Sequence, residues 1–400
     1  MSAYGLTASR VATCDPAWGD ALGVVDDGAV VIADGRLAYV GPRAGAPAGV
    51  VLEDLGDCVI TPGLIDAHTH ACWAGSRHDE YAARMRGDDY LAIARAGGGI
   101  RSTHLAVAGC SDEELGVALT ERLRRMASLG VTTVEVKSGY GLEPTQETKQ
   151  LRAIARAALD RGVPAVVPTL LALHALPPGA TDRDAFAAAV ARELVPAIAR
   201  EKLARFVDAY VDADAFTVDQ ARLVGEAAKA VGLGVRLHVG QFEDMGGAEL
   251  AASLGCASAD HLEHVSPAGI DALARAGVVA VLLPVASFTL GQPPPPVAAL
   301  RAAGVRLVVA SDANPGTSPT ESLPLALALA VRMYGLTPEE AILGATRHAA
   351  ASLGLGDRGL LRAGLRADLV AWDLPHEHAI VQPWGGSRTR RVLVEGRAIA

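Results

Sequence analysis

The sequence is poor in cysteine: Cys14, Cys58, Cys72, Cys110 and Cys256 lie scattered over 400 residues, with no Cys-x-x-Cys pair among them. An odd, dispersed set excludes a disulfide framework and a cysteine-built zinc site, and it fits a reduced interior. There is no run of Lys and Arg and no basic stripe interleaved with aromatics, and the formal net charge is −9. A phosphate backbone would find no cationic face here, so nucleic acid is not an expected partner. Long apolar runs are missing too. The longest, residues 277–290, is broken by proline and too short to cross a bilayer. The N-terminal stretch lacks the basic-then-apolar layout of a signal peptide, and a cytoplasmic location without membrane attachment is expected.

What is present is a chain that is 50% hydrophobic and 20% charged, the balance of a packed globular protein rather than a disordered one. Because the overall field is negative, an anionic ligand would have to be gripped by local cations, which makes a pocket arginine worth seeking.

The two ends of the chain share a texture of short strands and turns. DDGAVVIADGRLAYVG sets Asp-Gly pairs among alternating apolar residues, a hairpin signal, and RADLVAWD and TRRVLVEGRAIA read as further strands near the C-terminus. Between them, short β-branched runs alternate with longer Ala/Leu/Arg/Glu segments of helical period, such as residues 112–129 and 151–160. Eight such runs are legible: VITPGLIDAHTH, VTTVEVKSGY, AVVPTLLALHA, RFVDAYVDA, GVRLHVGQ, ASADHLEHV, VVAVLLP and RLVVASDANP. The expected fold is therefore α/β, a (β/α)8 TIM-like barrel over residues 59–359 plus a small β-sandwich domain built from residues 1–58 and 360–400. A doubly wound open sheet is the alternative, but no Gly-x-Gly-x-x-Gly turn follows the first strand, and GGGI at residues 97–100 is far from any strand.

His68 and His70 stand two apart at the end of the first run, so the period of a strand turns both imidazoles to one side. An isolated His-x-His pair is a weak sign, but here His174 ends the third run, His238 ends the fifth, His261 lies in the sixth and Asp312 ends the eighth. Metal-ligating residue types thus gather at the C-terminal ends of barrel strands, the face where such barrels carry their sites. The remaining histidines, His78, His104, His264, His348, His376 and His378, fall in loop or helical surroundings and read as solvated or structural.

The string Pro62-Gly63-Leu64-Ile65-Asp66-Ala67-His68-Thr69-His70, followed by single histidines and an aspartate, resembles the amidohydrolase superfamily. GSR at 75–77, GGGIRST at 97–103, GVTTVEVKSGYGL at 130–142, SADHL at 258–262 and SDANPGTSP at 311–319 are similar, more narrowly, to the imidazolonepropionase family within it. That resemblance implies hydrolysis of the cyclic amide 4-imidazolone-5-propanoate to N-formimino-L-glutamate, the third step of histidine breakdown, with one Zn2+ or Fe3+ ion. It implies His68, His70, His238 and Asp312 as metal ligands, and Arg77, Tyr140 and His174 as the grip on the substrate and its propionate. Gln241, Asn314, Gly316 and Thr317 would contact the ring or product, with Gln241 orienting the ring where some relatives carry Glu. Such a site lets a bound water form hydroxide near neutrality. Asp312 can then accept its proton, while His261 either orients the attack or stabilises the developing charge.

Each residue also has a plainer explanation: an ion pair with Asp79 or Glu80 for Arg77, packing for Tyr140, and a carbonyl-bonded ring for His174. The fourth run lacks the lysine that bridges two metals in binuclear relatives, which favours a single ion, and Lys137 in the second run reads as a structural ion pair. Competing functions are another cyclic amidase or deaminase on the same scaffold, or a barrel kept only for assembly. The expected partner is a small molecule bearing a carboxylate, and a homodimer is the base-rate expectation for assembly.

Overall fold

A computed structural model of the chain describes residues 3–19, 21–88, 93, 97–382 and 384–400. The chain begins with strands β1 (Tyr4–Ala12), β2 (Val24–Ala33), β3 (Arg36–Pro42), β4 (Val51–Asp54) and β5 (Val59–Pro62). β2 and β3 turn at Asp34 and Gly35, whose φ values of +48° and +77° suit the right-handed twist of a hairpin. The earlier Asp27-Gly28 pair is not a turn, since it lies within β2.

The barrel follows: β6 (Leu64–Asp66), β7 (Val131–Lys137), β8 (Ala165–Leu173), β9 (Phe206–Val211), β10 (Gly234–Val239), β11 (Ser258–His261), β12 (Val279–Leu282) and β13 (Leu307–Val309). These eight parallel strands are hydrogen-bonded in sequence order, and a bridge from Thr69 to Ala313 joins the last to the first. Each of the runs read from the sequence supplies one strand. The first run is nevertheless divided, because Val59–Pro62 pairs with β1 instead of the barrel. The division falls at Gly63, where a Cβ would lie 2.0 Å from Thr132 Oγ1, so only glycine lets the chain pass this closely into β6.

Helices wrap the strands. Asp112–Ser128 starts in a capping box between Ser111 and Glu114. The next helix spans Pro144–Ala157, beginning and ending earlier than expected because Pro144, with its φ preset, opens the first turn. Ile65, Val167, Phe206, Val279 and Val308 form an apolar cluster with Ala349 and Leu353, a plug drawn from several strands and the helix Arg347–Ser352.

The chain then returns to the first sheet with β14 (Leu369–Trp372), β15 (Thr389–Val394) and β16 (Arg397–Ala398). β14 lies antiparallel to β5, so both termini share one eight-stranded sheet with its own core of Leu6, Val11, Val30, Ile60, Leu369 and Leu393. Trp372 joins this sheet to the barrel. Its indole donates to Thr61 Oγ1 at 2.8 Å, and its ring lies against Gly130, where a Cβ would come within 2.6 Å of it. Trp372→Ala should cost about 3–5 kcal/mol and lower the thermal midpoint in calorimetry, whereas Trp372→Phe, which keeps most of the buried area, should cost less. Equal, small effects would remove Trp372 from this joining role.

Candidate active site

His68 and His70 leave β6 on the same side, as the strand period requires, and Asp312 follows β13 beside them. His68 Nε2 lies 3.6 Å and His70 Nε2 3.4 Å from Asp312 Oδ1, while His238 Nε2 lies 3.2 Å from His70 Nε2. His261 faces His238 at 5.5 Å between ring centroids. Two overlapping triads, His68–His70–Asp312 and His68–His238–His261, each bring their ligand atoms within 4.8 Å of one another. His68 Nε2 is buried and has no hydrogen-bond partner among the described residues. A buried ring nitrogen without a partner is costly unless an ion meets it, and an imidazole-plus-carboxylate set is the donor chemistry of a zinc- or iron-type ion. The cluster fits a metal.

The layer beneath fixes the rings. Asp260 Oδ2 accepts from His68 Nδ1 at 2.6 Å, and Asp208 Oδ1 accepts from His238 Nδ1 at 3.1 Å. With the protons held on Nδ1, both Nε2 lone pairs face the centre. Lys137 Nζ pairs with Asp208 at 2.8 Å and Glu135 at 3.0 Å, and Arg236 reaches Asp260 at 3.4 Å, all of them fully buried. Burial works against ionisation of Asp208, yet His238 and Lys137 hold its pKa below the usual carboxylate range. Burial, reinforced by neighbouring cationic groups, pulls His68 well down and keeps it neutral.

At the centre the balance differs. Burial pushes Asp312 up to about 7, with His261 pulling the other way. Burial opposes protonation of His261, but Glu263, whose Oε2 is 3.7 Å from Nδ1, outweighs it and raises the pKa. The backbone is strained here: His261, Leu262 and Asp312 have φ of +82°, +72° and +55°, left-handed values that cost a non-glycine residue about 1–3 kcal/mol each.

A cavity of about 280 Å³ opens above this floor, and Arg77, Tyr140, His174, Gln241, Asn314 and Thr317 line it together with His70, His238, His261 and Asp312. His68 lies below the lining. Gly316 is behind Arg77, where a Cβ would be 2.1 Å from Nη1. Arg77 does pair with Glu80, Nε and Nη2 donating at 3.0 and 2.7 Å, while remaining buried in the cavity wall. His174 Nδ1 donates to Gly139 O at 2.7 Å, its ring stacks on His70 at 5.2 Å, and burial lowers its pKa to about 3. Gly139 and Gly141 serve the backbone, since side chains there would strike Leu171 and the backbone of Gln146 and Glu147. Asn314 is engaged by its own loop: Nδ2 donates to Asp312 O and Thr317 Oγ1, and Oδ1 accepts from Gly316 N and Thr317 N.

Sequence reasoning missed Asp208, Asp260 and Tyr210. Tyr210 donates to Gln241 Oε1 at 3.1 Å and so sets the amide's orientation. The signal was the strand period, which puts positions 206, 208 and 210 on one face of β9.

The amidohydrolase family profile matches residues 59–399. The chain is 45% identical over 400 residues to an imidazolonepropionase of Methylobacterium sp. (strain 4-46), covering 96% of this chain and 100% of that protein. It is 47% identical over 382 residues to an imidazolonepropionase of Caulobacter vibrioides (strain NA1000 / CB15N), covering 94% and 95%. The chain belongs to the imidazolonepropionase family of amidohydrolases. Solved structures share the fold at lower identity. A triazine hydrolase variant superposes with a TM-score of 0.76 at 17% identity, covering 99% of this chain and 94% of that one. A zinc-bound adenosine deaminase from Xanthomonas campestris gives 0.72 at 20%, covering 99% and 92%. Amidohydrolase membership, together with the histidine-aspartate cluster, implies a metal cofactor.

If Asp260 sets the His68 tautomer, Asp260→Asn should weaken metal binding about 10–100-fold, measured by competition with a chromophoric chelator. Chelation of the metal should also lower the wild-type melting temperature, as loss of any ligand of the native state does. Unchanged affinity in the variant would show that His68 is oriented without Asp260.

Proposed function

We infer that this chain uses water to open the ring of 4-imidazolone-5-propanoate, giving N-formimino-L-glutamate in histidine degradation. The family supports the reaction, and one juxtaposition carries it to this chain: a histidine-aspartate floor and a buried arginine on the wall of the same small cavity. His68, His70, His238 and Asp312 would hold the ion, and either zinc or iron suits them. When bound, the ion supplies Lewis acidity and lowers the pKa of water.

The rest of the work belongs to side chains. Asp312 accepts the proton of the attacking water and returns it to the ring nitrogen as the carbon–nitrogen bond breaks. Glu263 favours the protonated form of His261, which suits His261 to donate toward the ring carbonyl oxygen as negative charge develops there and favours charge stabilisation over orientation of the attack. His174 is neutral and its Nδ1 proton is committed to Gly139, so Nε2 is an acceptor. It therefore suits a ring N–H better than a carboxylate. Arg77 and Tyr140 then take the propionate, and Gln241, held by Tyr210, faces the ring. Thr317 and Gly316 shape the wall that Asn314 orders.

The test is loss of the ultraviolet absorbance of freshly generated imidazolonepropionate. No acceleration over spontaneous decay by metal-loaded protein would end this reading, and metal analysis of the purified protein would separate zinc from iron. Arg77→Ala should raise KM about 10–100-fold, the worth of a charged hydrogen bond. Asp312→Ala should lower kcat by about 10²–10⁴ or more and weaken metal binding. The reverse pattern would refute this division of roles.

A further inference from the structure

Arg77 brings little net charge to the cavity, because Glu80 lies against its guanidinium. The same carboxylate accepts from Gly99 N at 3.1 Å and from Ser102 Oγ at 2.7 Å. Glu80 therefore ties two segments together: the one carrying Arg77 and the turn that opens the helix Ile100–Gly109. Arg101 stands between the two tied residues. It is exposed and lines the same cavity as Arg77, Tyr140 and His174, and among the described residues its guanidinium has no ion-pair partner.

Two other charged residues on this wall make local contacts. Asp212 accepts from the backbone N–H groups of Gln241, Phe242 and Glu243 at 2.8–3.0 Å, and Arg183 Nη2 donates to Asp214 O at 3.3 Å. A neutral Arg77–Glu80 pair in a chain of net charge −9 would leave an incoming carboxylate under-compensated.

We propose that Arg101 is a second substrate-binding cation, which supplies the uncompensated positive charge for the carboxylate that Arg77 orients, with Glu80 as the positioning residue holding both. The inference rests on the function proposed above and adds two residues to its carboxylate subsite. Because Arg101 is exposed, its contribution is partly screened and falls with salt.

Titration calorimetry on the metal-loaded protein with imidazole-4-propionate and its neutral counterpart 4-propylimidazole tests this directly. Arg101→Met should weaken imidazolepropionate about tenfold, the lower range for an ion-assisted contact, and leave propylimidazole within about twofold. Arg101→Lys should restore part of the loss. In wild type the preference for the anion should shrink between low and high salt, and in Arg101→Met that salt dependence should flatten. Unchanged affinities, or equal losses for both ligands, would overturn the proposal. Since binding is read without turnover, a wild-type protein inert toward imidazolonepropionate would sink the functional reading while the anion discrimination remained measurable.

Discussion

The arrangement depends on one buried ion pair, Lys137 with Asp208 at 2.8 Å, both without solvent exposure. A lone ammonium at this depth would be prohibitively costly, and so would a lone carboxylate. Together with Glu135, Arg236 and Asp260 they form an alternating set of charges inside the barrel. Two of its members reach upward to the Nδ1 atoms of His238 and His68. β7 also pins the residue between the two first-strand histidines: Thr69 Oγ1 donates to Glu135 O at 2.7 Å, and Lys137 N donates to Thr69 O at 3.0 Å. One strand thus supplies both the countercharge and the backbone anchor of the His-Thr-His segment.

The same pair engages one of the two oxygens of Asp208. Asp208 stands on β9, the strand whose lysine bridges two metals in binuclear relatives. Here one oxygen of Asp208 serves His238 and the other meets Lys137. Both oxygens of that carboxylate are therefore engaged inside the barrel, and the ammonium that meets one of them comes from the second strand.

Much of this was legible in the sequence where the cause was local. Strand period placed His68 and His70 on one side, short β-branched runs gave the eight strands, and Asp34-Gly35 gave its hairpin. The rest depended on partners far along the chain. Nothing near Val59–Pro62 indicates that it pairs with a strand 300 residues later, so the first run looked continuous. Alternation turns Asp208 inward without naming Lys137 as its countercharge. Nothing local shows why positions 139 and 141 are glycine, because the residues they clear, Leu171 and Glu147, come from other elements. For Arg77, the ion pair with Glu80 and a place on the cavity wall were weighed as alternatives. They coexist, because Arg77 stands at the N-cap of the helix His78–Met85 on the cavity wall and Glu80 lies one turn along that helix.

Read from bottom to top, the barrel is an apolar plug, a charged layer, a ring of ligand atoms, and then a wall made by loops. The first three layers meet requirements any water-activating barrel shares: a closed end, fixed histidine tautomers and a desolvated donor set. Structures with 20% identity or less share this fold over nearly the whole chain. The parts of the wall come from after the strands: Arg77 and Glu80 after β6, Tyr140 after β7, His174 after β8, and the Asn314-ordered loop after β13. Several wall residues are fixed by contacts within the wall, Glu80 to Arg77, Tyr210 to Gln241 and Asn314 to Thr317, while Asn314 also donates to Asp312 O and His174 stacks on His70. A change at Arg77 or Gln241 therefore acts on the wall first, whereas one at Asn314 or His174 also reaches the residues of the floor.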